Sequence, residues 1–317
     1  MGKIRGVVKS RSRKIILPTN SPCPCGSGKI IRDCHLDIDG QLRKPRPSLK
    51  PPRKETGHSH SGCYLKDTYN CSRQISREHY ISRSVLEQLG TKVRVSGVHW
   101  LSEGESFNGS VESLTAKILC DRHNNALSPL DNEAGLFFSI LKDSLIDLDR
   151  KTLSRQPIFH LIGGEALELW MLKVACGVYF SIGSHDKEKL SNTHTINMEK
   201  VTRAFFDDAW NARAGLYFRG NTGSVVTVNE GVGFAPLVMD SNRHFGGVTI
   251  SLLGFELDLL FDTAGANPGA WTSIVRRPTE LVLSKKRRQH SIILTWPAGT
   301  PEASLRIEQR PKTKLVP

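Results

Sequence analysis

The side chains able to do chemistry fall into two groups of the same composition. Cys23, Cys25, Cys34 and His35 have the spacing C-x-C-x8-C-H. Four soft or borderline donors satisfy a tetrahedral Zn²⁺, and a closed Cys3His shell with no free position is the structural type of site. Gly26 and Gly28 permit the backbone reversal that brings the C-x-C and C-H pairs onto one ion. So short a unit cannot hold together by burial, so metal binding would supply most of its folding free energy. The second group is more widely spread. Cys63 and Cys71 form one half of a zinc site, and Cys120 with His123, at C-x-x-H spacing, forms the other. Between the halves stand Glu78 and His79, side by side, and Asn124 directly follows the second half. A zinc clip that fixes a hairpin against a helix at these places can hold an acid, an imidazole and an amide around a second metal.

The stretch PCPCGSGKIIRDCH resembles the SEC-C zinc motif, named for the C-terminus of the SecA translocase. The resemblance covers residues 21–36 and implies zinc ligands at Cys23, Cys25, Cys34 and His35. It also implies an adaptor that docks on a protein partner and does no chemistry itself. The stretches CYLKDTYNCSRQISREHYISRSVL and ILCDRHNNALSPLD are similar to the HNH, or ββα-metal, nuclease superfamily. That likeness implies a catalytic Mg²⁺ or similar ion held by Glu78 and Asn124, with His79 as the general base that deprotonates water for attack on a phosphodiester. A hard carboxylate and an amide oxygen suit Mg²⁺, and a neutral imidazole suits proton abstraction near pH 7. Four features depart from the pattern: the first cysteine pair is C-x7-C, His123 stands where a cysteine is usual, Asn124 stands in place of a histidine, and the asparagine often found shortly before the second zinc half has no clear counterpart. Asn125, Ser128 and Asp131 are placed either to shape the metal site or, the reading preferred, to cap the helix that begins there. A non-catalytic zinc module that binds nucleic acid or protein is the alternative left open.

The elements around these residues are expected in an α+β arrangement. A basic tail covers 1–20, the first zinc motif 21–40, a stiff proline-rich and basic linker 41–60, the HNH-like domain 61–135, and a C-terminal helical plus β-rich domain 136–317. NEAGLFFSILKDSLIDL has apolar residues recurring at three and four and predicts a helix. GGEALELWMLKVACGVYFSI predicts a second, apolar on nearly every side and therefore buried, with Cys176 as a core thiol. SVVTVNE, GGVTISLLGFELDLLF, TELVLS and SIILTW predict strands. His58 and His60 read as part of a flexible polar stretch, His99, His160, His185, His194, His244 and His290 have no spacing partners, and Lys285–Arg288 reads as a hairpin tip.

Composition limits the classes. The 317 residues carry 44 Lys plus Arg against 31 Asp plus Glu, a net charge of +13, which favours polyanionic partners such as nucleic acid. Charge alone does not separate DNA from RNA or from an acidic protein; DNA ahead of RNA is the expectation beside the nuclease resemblance. No apolar run reaches the length of a membrane span, and the first residues lack the apolar core of a secretory signal. The expectation is a cytoplasmic protein without membrane insertion. Six of the seven cysteines lie close to histidines in the first 120 residues, which in a reducing compartment indicates metal rather than disulfides.

Overall fold

The computed structural model describes residues 17–51, 54–97, 101–150, 156–181, 190–207, 210, 213–219, 231–239, 243–262 and 274–308. The basic tail up to residue 16, the strand expected from SVVTVNE, and His99 and His185 lie outside them. The fold is α+β, and the described cysteines are all free thiols. No helix among the described residues is long and apolar enough to cross a membrane.

The first zinc motif is a knuckle closed by an antiparallel bridge between Pro22 and Ile30. Gly26 (φ +80°) and Gly28 (φ +77°) take the left-handed backbone that this reversal needs. A hairpin follows, made of β1 (Ile75–His79) and β4 (Thr115–Cys120), with Ile75 opposite Cys120 and His79 opposite Thr115. Between its strands the chain makes α1 (Arg83–Leu86), β2 (Lys92–Ser96) and β3 (Ser106–Ser110). From Cys120 it enters α2 (Asp121–Asp149) without a loop.

Helix α2 contains Pro129, which has no N–H to give to the Asn125 carbonyl. The Ser128 hydroxyl donates to that carbonyl at 2.8 Å and so mends the helix. Ser128 and Asp131 therefore do not cap the helix, which begins ten positions before Asp131.

Strand β5 (Ile158–Gly163) leads into α3 (Gly164–Phe180), buried along almost its whole length as its all-round apolar sequence predicts; Cys176 is fully enclosed in it. Gly177 lets α3 approach Tyr80 closely, since a Cβ there would lie 2.4 Å from the Tyr80 side chain. After α4 (Leu190–Thr193) and α5 (Met198–Phe206) come β6 (Gly215–Arg219), β7 (Gly231–Met239), β8 (His244–Leu252), β9 (Phe255–Leu260), β10 (Ile274–Arg276), β11 (Glu280–Lys285), β12 (Arg288–Thr295) and β13 (Ser304–Glu308). One sheet has the order β10-β6-β9-β8-β7-β2-β3 and a second the order β13-β11-β12-β5.

This topology corrects the expected domain division. The boundary at 135 falls inside α2, and β2 pairs in parallel with β7, so the segment inserted in the hairpin completes a sheet built from the C-terminal half. One hydrophobic core runs from Leu65 and Leu86 through Phe137 and Trp170 to Ile250 and Leu283. Residues 41–60 are not a free linker either. Lys44 binds Glu133, Arg46 binds Glu165 at 2.9 Å and the Phe205 carbonyl at 2.6 Å, and Leu49 is buried in the main core. Lys44 and Arg46, on either side of Pro45, find carboxylates on α2 and α3, and the extended backbone that prolines favour lies along that surface. The His58 carbonyl accepts from the Cys71 N–H at 2.8 Å, which fixes the polar stretch as well.

Two candidate metal clusters and a buried polar network

In both groups the four expected ligand atoms converge to within 4.8 Å of one another. In the first, His35 Nδ1 lies 3.3 Å from Cys23 Sγ and 3.2 Å from Cys34 Sγ, and Cys25 Sγ lies 3.6 Å from Cys34 Sγ. In the second, His123 Nδ1 is 3.5 Å from Cys63 Sγ, 3.8 Å from Cys71 Sγ and 3.2 Å from Cys120 Sγ. Zn–S bonds of about 2.3 Å and Zn–N bonds of about 2.0 Å at tetrahedral angles separate ligand atoms by roughly 3.5–3.8 Å. Both clusters therefore have the size and donors to hold a zinc ion. The Thr68 hydroxyl donates to the Leu65 carbonyl at 2.8 Å, so its oxygen, 3.1 Å from His123 Nε2, accepts the proton of that nitrogen, and Nδ1 keeps its lone pair for a metal.

The clusters differ in their surroundings. All four ligands of the second are buried, whereas only Cys23 of the first is. Burial pushes the Cys23 thiol up to about 12. The hydrogen bond from Cys63 pulls Cys120 far down, toward the thiolate that binds metal. The first cluster packs Cys23 and Ile31 on Leu161 and Ile293, and the Pro24 carbonyl accepts from the Leu161 N–H on β5 at 3.1 Å.

Next to the second cluster, the structure brings Glu78 and Asn124 together. A bulge in the hairpin sets Lys117 and Ile118 against Arg77, and beyond it Glu78 turns toward the start of α2, where the Asn124 amide lies beside its carboxylate. Glu78 is 6% exposed, and burial raises its pKa. His79 follows on the same strand. Its Nε2 is shielded from solvent, has no hydrogen-bond partner, and lies 3.9 Å from Glu112 Oε2. Burial lowers the His79 pKa, with Glu112 opposing, and so favours the neutral ring.

Sequence reasoning missed the rest of this network. Lys173 of α3 places its Nζ 2.6 Å from Glu78 Oε1 and 2.6 Å from Asp131 Oδ2. Ser82 donates to Asp131 Oδ1 at 2.5 Å and accepts from Trp170 Nε1 at 2.6 Å. Burial works against the Lys173 charge, but Asp131 and Glu78 outweigh it and hold the ammonium charged. A signal was present: a lysine inside a helix apolar on every side is buried only if it is paired.

Two further features depart from the sequence reading. His160 and His290 do have partners: His160 Nε2 lies 3.2 Å from His290 Nδ1, and His290 Nε2 lies 3.0 Å from Asp147 Oδ2. The run Lys285–Arg288 does form a hairpin tip, but Lys285 binds Asp149 and Arg288 binds the Asp147 carbonyl, so its ends are tied to α2. No protein-family model matches this chain, and neither the curated proteins nor the solved structures contain a match.

Proposed function

We propose that the protein is an HNH-type endonuclease that hydrolyses nucleic-acid phosphodiester bonds, with a SEC-C-like zinc module as an accessory. One observation carries this reading: Glu78 on a hairpin strand lies beside Asn124 in the first turn of α2, directly after Cys120 and His123 of the second cluster, and His79 is the next residue of that strand. His79 is the proton acceptor. A neutral imidazole with an unpartnered ring nitrogen can take a proton from water near neutral pH, and Glu112 is placed to stabilise the imidazolium that results.

The reading implies a divalent ion such as Mg²⁺. Lys173 already takes Glu78 Oε1 and Asp131 Oδ2 at 2.6 Å each, so what is left for a hard cation is the second Glu78 oxygen and the Asn124 amide oxygen beside it, donors of the type Mg²⁺ takes. Glu78 and Asn124 would hold the ion, which when bound would stabilise charge on the phosphoryl and leaving oxygens. Lys173 orients the Glu78 carboxylate, and the zinc ligands Cys120 and His123 fix Asn124 in the first turn of α2.

The experiment incubates purified protein with Mg²⁺ or Mn²⁺ and with supercoiled plasmid or RNA, beside His79→Ala. Cleavage should fall at least about 100-fold in the variant, the usual contribution of a general base. No cleavage, or cleavage that His79→Ala leaves unchanged, overturns the reading.

The same Lys173 contact favours a second reading. An ammonium at 2.6 Å already balances Glu78 inside the protein, which is what a ββα unit kept only as a binding scaffold would need. On that reading the chain binds nucleic acid and cuts none.

A further inference from the structure

A groove of about 900 Å³ opens beside His79, outside the network just described. The β1–β4 hairpin and the zinc loop before it form one wall, and the end of α3 with the start of α5 forms the other. Its base is apolar: Tyr64 is buried and stacks on Phe180 with ring centroids 5.6 Å apart, and Phe180 and Met198 are half-buried. Its rim carries Lys66, Arg77 and Lys117, all exposed and paired with no acid among the described residues. The bulge in the hairpin is what sets Lys117 opposite Arg77. Two acids also line the groove, Asp67 and Glu112, and Glu112 is held by Arg83 at 3.3 Å. Glu112 is also the neighbour of His79 Nε2, so the groove wall stands one side chain away from the proposed base.

We infer that this groove binds a single-stranded segment of nucleic acid, with phosphates on Lys66, Arg77 and Lys117 and a base against Phe180 and Met198. The inference rests on the proposed function only for the class of partner; the form of that partner comes from the groove. A duplex turns its phosphates outward and keeps its bases stacked inside, so it has no use for an apolar floor below a cationic rim. A single strand can turn its bases in, and base stacking on an aromatic ring combined with backbone contacts to cations is how such strands are held.

The test is fluorescence polarisation of the full chain, zinc retained and no other divalent ion added. The probes are a labelled oligothymidylate, a duplex of equal length, and labelled polyglutamate. The single strand should bind at least about tenfold tighter than either competitor. Arg77→Ala/Lys117→Ala should weaken it about tenfold and flatten the dependence of log affinity on log salt by about 1.4, the slope expected for two lost phosphate contacts. Phe180→Leu, which keeps the floor filled, should weaken binding several-fold and leave that slope unchanged. Duplex or polyglutamate binding as tight as the single strand, or an Arg77→Ala/Lys117→Ala variant of unchanged affinity, overturns the inference. His79→Ala separates the two proposals, because it should abolish cleavage and leave this binding intact. Single-strand binding without any plasmid or RNA cleavage would sink the hydrolase alone, and cleavage without single-strand binding would sink the groove alone.

Discussion

The two clusters present the same four donors and do different work. Cys23 through His35 close on themselves within one short stretch, and the finished knuckle rests sideways against β5. Cys63, Cys71, Cys120 and His123 come from distant parts of the chain, all are buried, and they tie a loop, a hairpin end and the first turn of α2 together within the main core. The difference teaches that a metal's structural value depends on what its ligands connect. An ion in the first cluster would fold a module; one in the second would fix a joint on which Glu78, Asn124 and the start of a 29-residue helix depend.

The comparison breaks most decisively at Cys120. Cys120→Ser leaves a buried trio of ligands without its metal, and structural zinc contributes about 10 kcal/mol or more in small modules, as much as a whole domain's stability. We expect one zinc per chain instead of two and no cooperative thermal transition. A native-like melt would show that the second cluster is no joint. Next comes Lys173→Met, which leaves Glu78 and Asp131 facing each other in the core and should cost about 3–5 kcal/mol by chemical denaturation. Both zinc ions should remain, and loss of one would mean that the network and the second cluster are a single unit.

Cys25→Ser should also release one zinc ion, yet lower the stability of the remaining chain by only about 2–3 kcal/mol, the burial of one or two apolar side chains. Hydrogen exchange would check this through faster exchange at the Leu161 amide, which loses its Pro24 acceptor, and unchanged protection in α2. Equal damage from Cys25→Ser and Cys120→Ser would erase the distinction. The smallest effect is set by pH and falls on the first cluster's side, at β5. Burial, with His290 adding, depresses the His160 pKa from 6.5 to about 4. The unfolded chain binds a proton on this ring that the folded chain refuses, so stability is fully present above about pH 6.5 and declines as pH falls toward 4. After solvent screening of this partly exposed ring the loss should be roughly 1–2 kcal/mol. His160→Gln should remove that part of the acid dependence, and a melt with unchanged pH dependence would count against it.

The zinc ligands were legible because their spacing is local and the chemistry of thiols and imidazoles is narrow. The main helices were legible too, from periodicity in α2 and all-round apolarity in α3. The partners of Glu78 were not, because Asp131 and Lys173 reach it only once α2 and α3 have packed, and no spacing encodes a contact between distant helices. Nor was the path of the inserted segment, whose β2 finds β7 from the other half of the chain. Parallel pairing leaves no turn signature between its strands, so the domain boundary was drawn where the sheet is continuous. The linker failed for a related reason: prolines and lysines forecast an extended basic stretch but not the carboxylates waiting for it at Glu133 and Glu165.

The bond from the Leu161 amide to Pro24 has a consequence for the protein's behaviour in a crowded solution. β5 is the outermost strand of its sheet, and an outermost strand with free amides is a template on which another chain can add itself. The knuckle occupies that position, so losing the metal from the first cluster alone, as in Cys25→Ser, would unmask an adhesive edge while leaving the rest of the fold standing. Occupancy of that one cluster would then govern whether the molecules stay apart.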